Sequence, residues 1–308
     1  MKFSRVLVLG GSGFVGRHLV AALARRGVRV TVPSRHRERA KHLILLPTVD
    51  VVQADINQRG VLDRLARGHD AVINLVGVLH GDFQRAHVEI PMTVIAACRV
   101  AGIERIVHMS ALGAASDAPS EYLRTKAMGE QAMLDAEDRH VTVFRPSVIF
   151  GPEDRFLNQF AEMAKWLAVL AVPCPDARFQ PIYVGDVARA MAMSLDDAET
   201  FGEKYELGGP REYTLKELVE LVCALTHRRR LVIGLPDRLS FLQAAFLEML
   251  PGPLMTRDNY YSMQVPNTTS APWPLAGERQ PLEAIAPTYL APSGARERYP
   301  QLRWRARR

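Results

Sequence analysis

The sequence predicts an α/β fold in which a doubly wound parallel sheet is joined to a smaller, interwoven C-terminal α/β cap. Strand-like apolar runs alternate with helix-like periodic runs through the first half of the chain, as in a sheet built from β-α-β units. The predicted strands are apolar on both faces, which is typical of strands that helices cover from both sides. A chain of 308 residues that is 48% hydrophobic can bury the core of one large unit or of two closely joined domains.

The first half of the chain supplies the predicted sheet and the helices that flank it. Strands are predicted at residues 5–10, 28–32, 49–54, 71–77, 105–110 and 141–146. Helices are predicted at residues 14–26, 58–67, 84–101 and 120–136. We expect residues 1–150 to form a nucleotide-binding domain. Residues from about 177 to 208 are expected to complete this domain.

The second half of the chain is less regular and predicts the cap, formed by 151–176 and 209–308. Its predicted helices lie at 155–170, 185–197, 214–226 and 238–249, and its predicted strands lie at 179–184, 204–207 and 229–234. Nine of the twenty prolines follow Leu250, so we expect no long helix there and an extended tail instead.

Charge and cysteine content limit the class of protein. A net charge of +6 permits an acidic partner such as a phosphate-bearing ligand or an anionic membrane surface, but does not choose one. The three cysteines, Cys98, Cys174 and Cys223, lie far apart without metal-ligand spacing, so we expect a reducing compartment and no metal. The N-terminus lacks the pattern of a secretory signal, and no apolar run reaches the ~20 residues that span a bilayer. The expected location is therefore the cytoplasm, with peripheral contact at the inner face of the membrane as a further option.

A glycine-rich turn follows the first predicted strand. Gly10, Gly13 and Gly16 are spaced by three residues between that strand and an amphipathic helix. Glycines at this place permit a tight turn, close approach of backbone amides to a pyrophosphate, and close contact between helix and strand. The residues of this turn that we predict to bind a dinucleotide are Gly10, Ser12, Gly13, Phe14, Val15 and Gly16.

The end of the second strand indicates which dinucleotide binds. An acidic residue there would accept hydrogen bonds from the ribose of NAD, but this chain has Ser34 and Arg35, with Arg37 and Arg39 beyond. Opposite charges about 4 Å apart interact by ~4 kcal/mol at an effective dielectric near 20, so an arginine favours the 2′-phosphate of NADP. NADP is the predicted cofactor and NAD the less favoured one. A solvated basic loop is the alternative interpretation.

Residues after the third and fourth strands complete the predicted adenosine site. Asp55 is placed to accept a hydrogen bond from the adenine amino group, although it could equally cap the next helix. The segment Asn74–Gly77 ends the fourth strand where backbone passes the adenosine ribose. The predicted contacts in these two segments are Asp55, Ile56, Asn74, Val76 and Gly77.

Tyr122 and Lys126 form the predicted reaction centre. Because they are four residues apart on a predicted helix, both side chains can reach the same ligand. The Lys126 ammonium would hold the nicotinamide ribose and lower the pKa of the Tyr122 phenol, whereas burial would raise that pKa. Ser110, at the end of the fifth strand, is the expected second donor to a substrate oxygen.

With Gly10, Gly13, Gly16, Ser110, Tyr122 and Lys126 in this order, the sequence resembles the short-chain dehydrogenase/reductase superfamily in its extended or atypical branch, which has a Rossmann fold. The segments YLRTKAMGE, GPEDRFLN and APTYLAPSGARERYP are similar to the dehydrogenase-like accessory subunit family of respiratory complex I and its stand-alone bacterial relatives. This resemblance implies a tightly held NADPH. It also implies that Ser34 and Arg35 contact the adenosine phosphate and that Tyr122 and Lys126 contact the ribose. The backbone of Pro146, Ser147 and Val148 is expected to contact the nicotinamide side.

The chain also departs from the enzymatic members of that superfamily. Leu9 and Ala111 replace common hydroxyl residues, and the insert between Ser110 and Tyr122 is short. These departures leave cofactor binding intact and disfavour sugar-nucleotide chemistry.

Two functions of different classes follow. The first is an oxidoreductase acting on a carbonyl, an alcohol or a quinone-like small molecule, and the second is a non-catalytic NADPH-holding module that docks on a respiratory or membrane-associated assembly. The arginine-rich segment 296–308 could bind a membrane surface, or it could be a basic chain end without a partner. We expect no binding to nucleic acid. The apolar segment 239–255 is expected to be core or the wall of a pocket.

Overall fold

A computed structural model describes residues 3–252, 254–274 and 277–291. The arginine-rich segment 296–308 lies outside these residues. The strands are β1 (Arg5–Leu9), β2 (Arg29–Ser34), β3 (Val49–Gln53), β4 (Ala71–Asn74), β5 (Arg105–Met109), β6 (His140–Pro146), β7 (Ile149–Phe150), β8 (Val169–Val172), β9 (Arg178–Phe179), β10 (Ile182–Tyr183), β11 (Lys204–Leu207), β12 (Tyr213–Thr214) and β13 (Leu231–Gly234).

The helices alternate with these strands and end with short helices after the last strand. They are α1 (Phe14–Arg25), α2 (Lys41–Ile44), α3 (Val61–Ala66), α4 (Ile90–Ala101), α5 (Glu121–Leu134), α6 (Phe156–Trp166), α7 (Val184–Ser194), α8 (Leu215–Leu225), α9 (Asp237–Glu248), α10 (Arg257–Ser262), α11 (Leu282–Ile285) and α12 (Pro287–Leu290). A π-helical turn, Arg85–Glu89, leads directly into α4.

The centre of the fold is a parallel sheet with the strand order β11-β6-β5-β4-β1-β2-β3. Alternate side chains of β1 enter opposite layers: Val6 and Val8 join the core under α1 and α7, whereas Leu7 and Leu9 join the core under α3 and α4. Both faces of the sheet are therefore dry, which explains the unbroken apolar strands in the sequence. The predicted doubly wound parallel sheet is confirmed.

The cap is built from short strand pairs and helices, and parts of it differ from the sequence prediction. The predicted helix 155–170 ends at Trp166, because the backbone at Leu167 is extended and the chain continues into β8. β8 pairs in parallel with β13, about sixty residues further along the chain, so local sequence gives little sign of it. The predicted strand 179–184 is divided into β9 and β10, and Val184 already begins α7.

The expectation that segment 239–255 is core or pocket wall is wrong for much of α9. Ser240 and Ala244 are buried, but Leu239, Leu242, Phe246 and Met249 are exposed. These four residues follow one another at intervals of three, four and three positions, so they form one apolar stripe along the outer face of the helix.

Candidate functional site

The candidate site lies along the carboxyl ends of the central strands. β1 lies between β2 and β4, so the order of strands reverses on either side of it. Ligands of open α/β sheets bind at such a reversal. The predicted site residues after β1, β2, β4, β5 and β6 all lie at this edge.

The glycine-rich turn is closely packed against α1. Gly10 has a φ of +76°, and its carbonyl accepts a hydrogen bond from the amide of Gly13 at 3.0 Å. A Cβ atom on Gly16 would lie 2.4 Å from the Gly10 oxygen, so only glycine permits this contact. The first turn of α1 has neither an acidic residue nor a side-chain cap. Its free amides and helix dipole fit the phosphates of a dinucleotide.

The other predicted contacts of the nucleotide lie around this turn. Val15 is buried in the core between sheet and α1, whereas Ser12, Phe14, Ile56 and Val76 are partly exposed. All of them stay predictions as cofactor contacts.

At the end of β2 the structure places hydroxyl and guanidinium groups. The Ser34 hydroxyl donates a hydrogen bond to the carbonyl of His36 at 3.1 Å, and Arg35 is exposed beside it. Hydrogen bonds from Asn57 hold the pKa of the Asp55 carboxyl below its usual value, and Arg35 lowers it further. Asp55 therefore stays ionised and shapes the turn before α3, which is close to the capping role left open above.

Asn74 acts inside the fold. It is fully buried, its side-chain oxygen accepts a hydrogen bond from the Val76 amide at 3.1 Å, and its amide group contacts His108 at 3.2 Å. Its side chain thus shapes the turn that leads to Gly77.

Gly77 and Lys126 meet at the end of that turn. Lys126 is buried, and its ammonium donates a hydrogen bond to the carbonyl of Met109 at 3.1 Å. A Cβ atom on Gly77 would lie 3.0 Å from Nζ of Lys126, so the absence of a side chain leaves this ammonium room. Because Met109 precedes Ser110, the structure brings Lys126 next to the end of β5.

Burial sets the protonation of the pair. It lowers the pKa of Lys126 to about 8, so the amine is still mostly charged at neutral pH. It raises the pKa of the Tyr122 phenol to about 12, and the charge of Asp258 acts in the same direction. Burial therefore outweighs the lysine in the competition that the sequence left open, and the Tyr122 phenol is neutral at pH 7, while its role as a proton donor stays a prediction.

Ser110 has a buried hydroxyl without a hydrogen-bond partner among the residues that the structure describes. A buried hydroxyl that lacks a partner costs free energy, so such groups are uncommon unless a ligand satisfies them. This orphaned group fits the predicted role of donor to a substrate oxygen.

His87, which the sequence did not predict as a site residue, lies in the π-helical turn. Its Nε2 accepts a hydrogen bond from the Val78 amide at 3.1 Å, so Nδ1 carries the proton and donates to the Thr125 hydroxyl at 3.0 Å. Its ring contacts the Tyr122 ring edge-on, with 5.3 Å between centroids. Burial and the charge of Lys126 lower its pKa to about 3, so the imidazole is neutral. No sequence motif marks this histidine, 35 positions before the tyrosine.

Two cap residues, also missed, reach the same edge. The Asn267 side-chain oxygen accepts hydrogen bonds from the Ser147 hydroxyl at 2.6 Å and the Val148 amide at 2.9 Å. Asp258 accepts hydrogen bonds from the backbone amides of Glu121, at 2.6 Å, and Tyr122, at 3.2 Å. Cap contacts thus occupy two donors on the predicted nicotinamide side, the Ser147 hydroxyl and the Val148 amide, while the neighbouring Pro146 is buried in the sheet.

The chain is similar to a known protein family and to several named proteins. The model of the NAD dependent epimerase/dehydratase family matches residues 6–208. The chain is 34% identical to the mouse mitochondrial NADH dehydrogenase (ubiquinone) 1 alpha subcomplex subunit 9 over 241 residues, which cover 74% of this chain and 63% of that protein. It is 31% identical to a ceramide reductase of Caulobacter vibrioides, with 75% of this chain and 74% of that protein covered.

Solved structures show the same fold at lower sequence identity. An epimerase from Methanothermobacter thermautotrophicus superposes with a TM-score of 0.67 at 22% identity, over 77% of this chain and 81% of that one. The chain spans less than two thirds of the length of the mouse subunit. In the residues described, no helix is long and apolar enough to cross a membrane.

Proposed function

Because the chain belongs to the NAD dependent epimerase/dehydratase family, we propose that it binds NADP(H) and reduces the carbonyl group of a lipophilic or quinone-like small molecule. The dinucleotide would lie across the reversal of strand order, with its pyrophosphate at the first turn of α1. Its nicotinamide end would face Lys126, Tyr122 and Ser110.

The preference for NADP rests on the end of β2. No acid stands there to repel a 2′-phosphate, and Arg35 is exposed and available to it. Ser34 adds a hydroxyl that can turn from the His36 carbonyl towards the phosphate. A guanidinium can bind a phosphate through two parallel hydrogen bonds, which an NAD ribose cannot match.

The observation that carries the proposal is the buried, unpaired Ser110 hydroxyl at the end of β5, where Lys126 contacts the carbonyl of the preceding Met109. When bound, NADPH would provide the hydride that the substrate carbon accepts. Tyr122, neutral because of its raised pKa, donates its proton to the carbonyl oxygen, while the unpaired Ser110 hydroxyl donates a hydrogen bond to the same oxygen. Lys126 holds the ribose and compensates the charge that remains on Tyr122.

The surroundings of Tyr122 favour an apolar substrate. Ala111, Ala118 and Leu123 form a small buried cluster, against which Tyr122 and Val265 pack. Apolar packing beside the phenol favours a lipophilic carbonyl compound over a sugar nucleotide. Two of the relatives carry names that refer to lipid-soluble molecules, ubiquinone and ceramide.

A Tyr122→Phe variant tests this function. We expect it to bind NADPH normally and to lose at least about a hundredfold in the rate of NADPH oxidation by long-chain ketones or short-chain quinones. Equal rates in wild type and variant would contradict catalysis by Tyr122.

A second candidate is a module that holds NADPH without turnover and docks on a respiratory or membrane-associated assembly. Asn267 and Asp258 favour it, because they tie the cap across the nicotinamide end of the cleft. The relationship to a complex I subunit favours it as well. NADPH that co-purifies and resists oxidation by every carbonyl tested would support this candidate over the first.

A further inference from the structure

The outer surface of the cap carries an apolar face that no part of the described chain covers. The α9 stripe of Leu239, Leu242, Phe246 and Met249 lies fully on the outside, with Leu242 and Phe246 each 60% exposed. Large apolar side chains are often exposed singly, but a continuous row of them marks a contact surface.

The apolar face continues from α9 onto the neighbouring strand pair. The Gln243 side chain donates a hydrogen bond to the Ala171 carbonyl at 3.1 Å, which holds α9 beside β8. Val169 and Leu231 are paired across β8 and β13, and both are exposed. Ile233, two positions further on the same face of β13, is exposed as well.

An aromatic residue and a strand end extend this face to the end of α6. Arg230 donates a hydrogen bond through Nε to the Ala164 carbonyl at 2.8 Å, which ties the start of β13 to that helix. Trp166, the last residue of α6, is 85% exposed. Exposed tryptophans with arginines nearby are typical of surfaces that lie in the headgroup region of a bilayer.

Charge distinguishes a lipid surface from other occupants. Arg229 precedes β13 and Arg238 lies in the first turn of α9; both are exposed, and neither forms an ion pair within the described residues. The acids of the same region have partners. Glu248 pairs with Arg257 at 2.6 Å, and Asp237 accepts a hydrogen bond from the Tyr260 hydroxyl at 2.7 Å. Because the Tyr260 hydroxyl is neutral, Asp237 keeps its negative charge, but Arg229 and Arg238 outnumber it, so the net unpaired charge beside the apolar face is positive.

We propose that this face, made of the α9 stripe, the outer side of β8 and β13, and Trp166, docks on an anionic lipid bilayer. The apolar side chains enter the headgroup region, and Arg229 and Arg238 contact lipid phosphates. The face is close to the candidate site, because α9 packs on α10 and Asp258 of α10 caps the helix that carries Tyr122. The inference does not depend on catalysis.

Co-sedimentation of the full chain with vesicles tests the proposal. We expect binding to vesicles of phosphatidylcholine mixed with phosphatidylglycerol at low salt, and little binding to phosphatidylcholine alone or at high salt. Phe246→Asp and Leu242→Asp should each weaken binding at least about tenfold. Val100→Asp, at an equally exposed apolar position of α4, should leave it unchanged.

Charge variants and the oligomeric state of the protein provide a second test of the proposal. Arg229→Ser combined with Arg238→Ser should reduce the salt-sensitive part of binding, whereas Arg64→Ser with Arg67→Ser should not. Absence of binding at low salt would overturn the proposal, as would loss of binding on deletion of 292–308 with no effect of Phe246→Asp. A dimer that Phe246→Asp converts to a monomer without any vesicle binding would assign the face to a second copy. NADPH affinity, measured in parallel, reports on the proposed function separately.

Discussion

The side-chain oxygen of Asn267 lies 2.9 Å from the amide nitrogen of Val148 and accepts its hydrogen bond, so a cap residue is fixed to the end of β6. The same oxygen lies 2.6 Å from the Ser147 hydroxyl. Replacing Asn267 by Ala removes this one acceptor and leaves the partly buried Val148 amide unsatisfied, whereas the Ser147 hydroxyl keeps its hydrogen bond to the backbone carbonyl of residue 267. We expect a loss of about 1–3 kcal/mol in the free energy of unfolding, measured in urea. Unchanged stability would show that water replaces the asparagine at no cost.

Arg35→Asp tests cofactor selection. An aspartate beside a 2′-phosphate replaces attraction by repulsion. Because the position is exposed, we expect the affinity for NADPH to fall by only about ten- to a hundredfold, and the affinity for NADH to stay unchanged or improve. Titration of the cofactor-free protein with both dinucleotides measures this. Arg64→Asp, at an exposed position of α3, is the matched control. A wild type that prefers NADH would refute the assignment.

Lys126→Met should stabilise the protein without cofactor. The folded chain lowers the pKa of this amine from 10.5 to about 8, so between those pH values the unfolded chain binds more protons and stability rises with pH. At pH 7 the charged amine costs free energy, part of which its bond to Met109 offsets. We expect a gain of about 1–2 kcal/mol at pH 7 that disappears by about pH 10.5.

The same substitution should weaken NADPH binding, and wild-type affinity should fall as pH rises through about 8, where Lys126 loses its charge. Calorimetric unfolding and cofactor titration, each across pH, separate the two effects. An affinity that does not vary with pH would mean that Lys126 does not contact the ribose.

Arg105→Met should be strongly destabilising. Arg105 is fully buried, donates hydrogen bonds to the carbonyls of Ser194 at 2.6 Å and His140 at 2.8 Å, and lies over the ring of Phe201. Its removal deletes these buried charged hydrogen bonds, although the Ser194 carbonyl keeps donors from Asp197 and Thr200, and we expect a loss of about 3–5 kcal/mol. Arg99→Met, which breaks an exposed pair with Asp138, should cost under about 1 kcal/mol. Similar losses in both variants would contradict this.

The sequence predicted the central sheet because its signals are local. Val6 to Leu9 are apolar without interruption, and Gly10, Gly13 and Gly16 have spacings that only a strand-turn-helix unit requires. The cap contacts depend on pairing between distant segments. Nothing near Asn267 in the sequence indicates that it reaches Val148, and the outward stripe of α9 has the same periodicity as a buried one. Which face of α9 is covered depends on the neighbouring α10 and β8, which periodicity cannot show.

The contact between Gly129 and His87 holds one wall of the cleft together. A Cβ atom on Gly129 would lie 1.7 Å from the His87 carbonyl oxygen, so α5 and the π-helical turn touch backbone to backbone. Tyr122 and His87 therefore lie on two elements that are in direct backbone contact. We therefore expect the cleft to widen for substrate entry on the opposite side, where the hydrogen bonds of Asp258 and Asn267 that hold the cap would break.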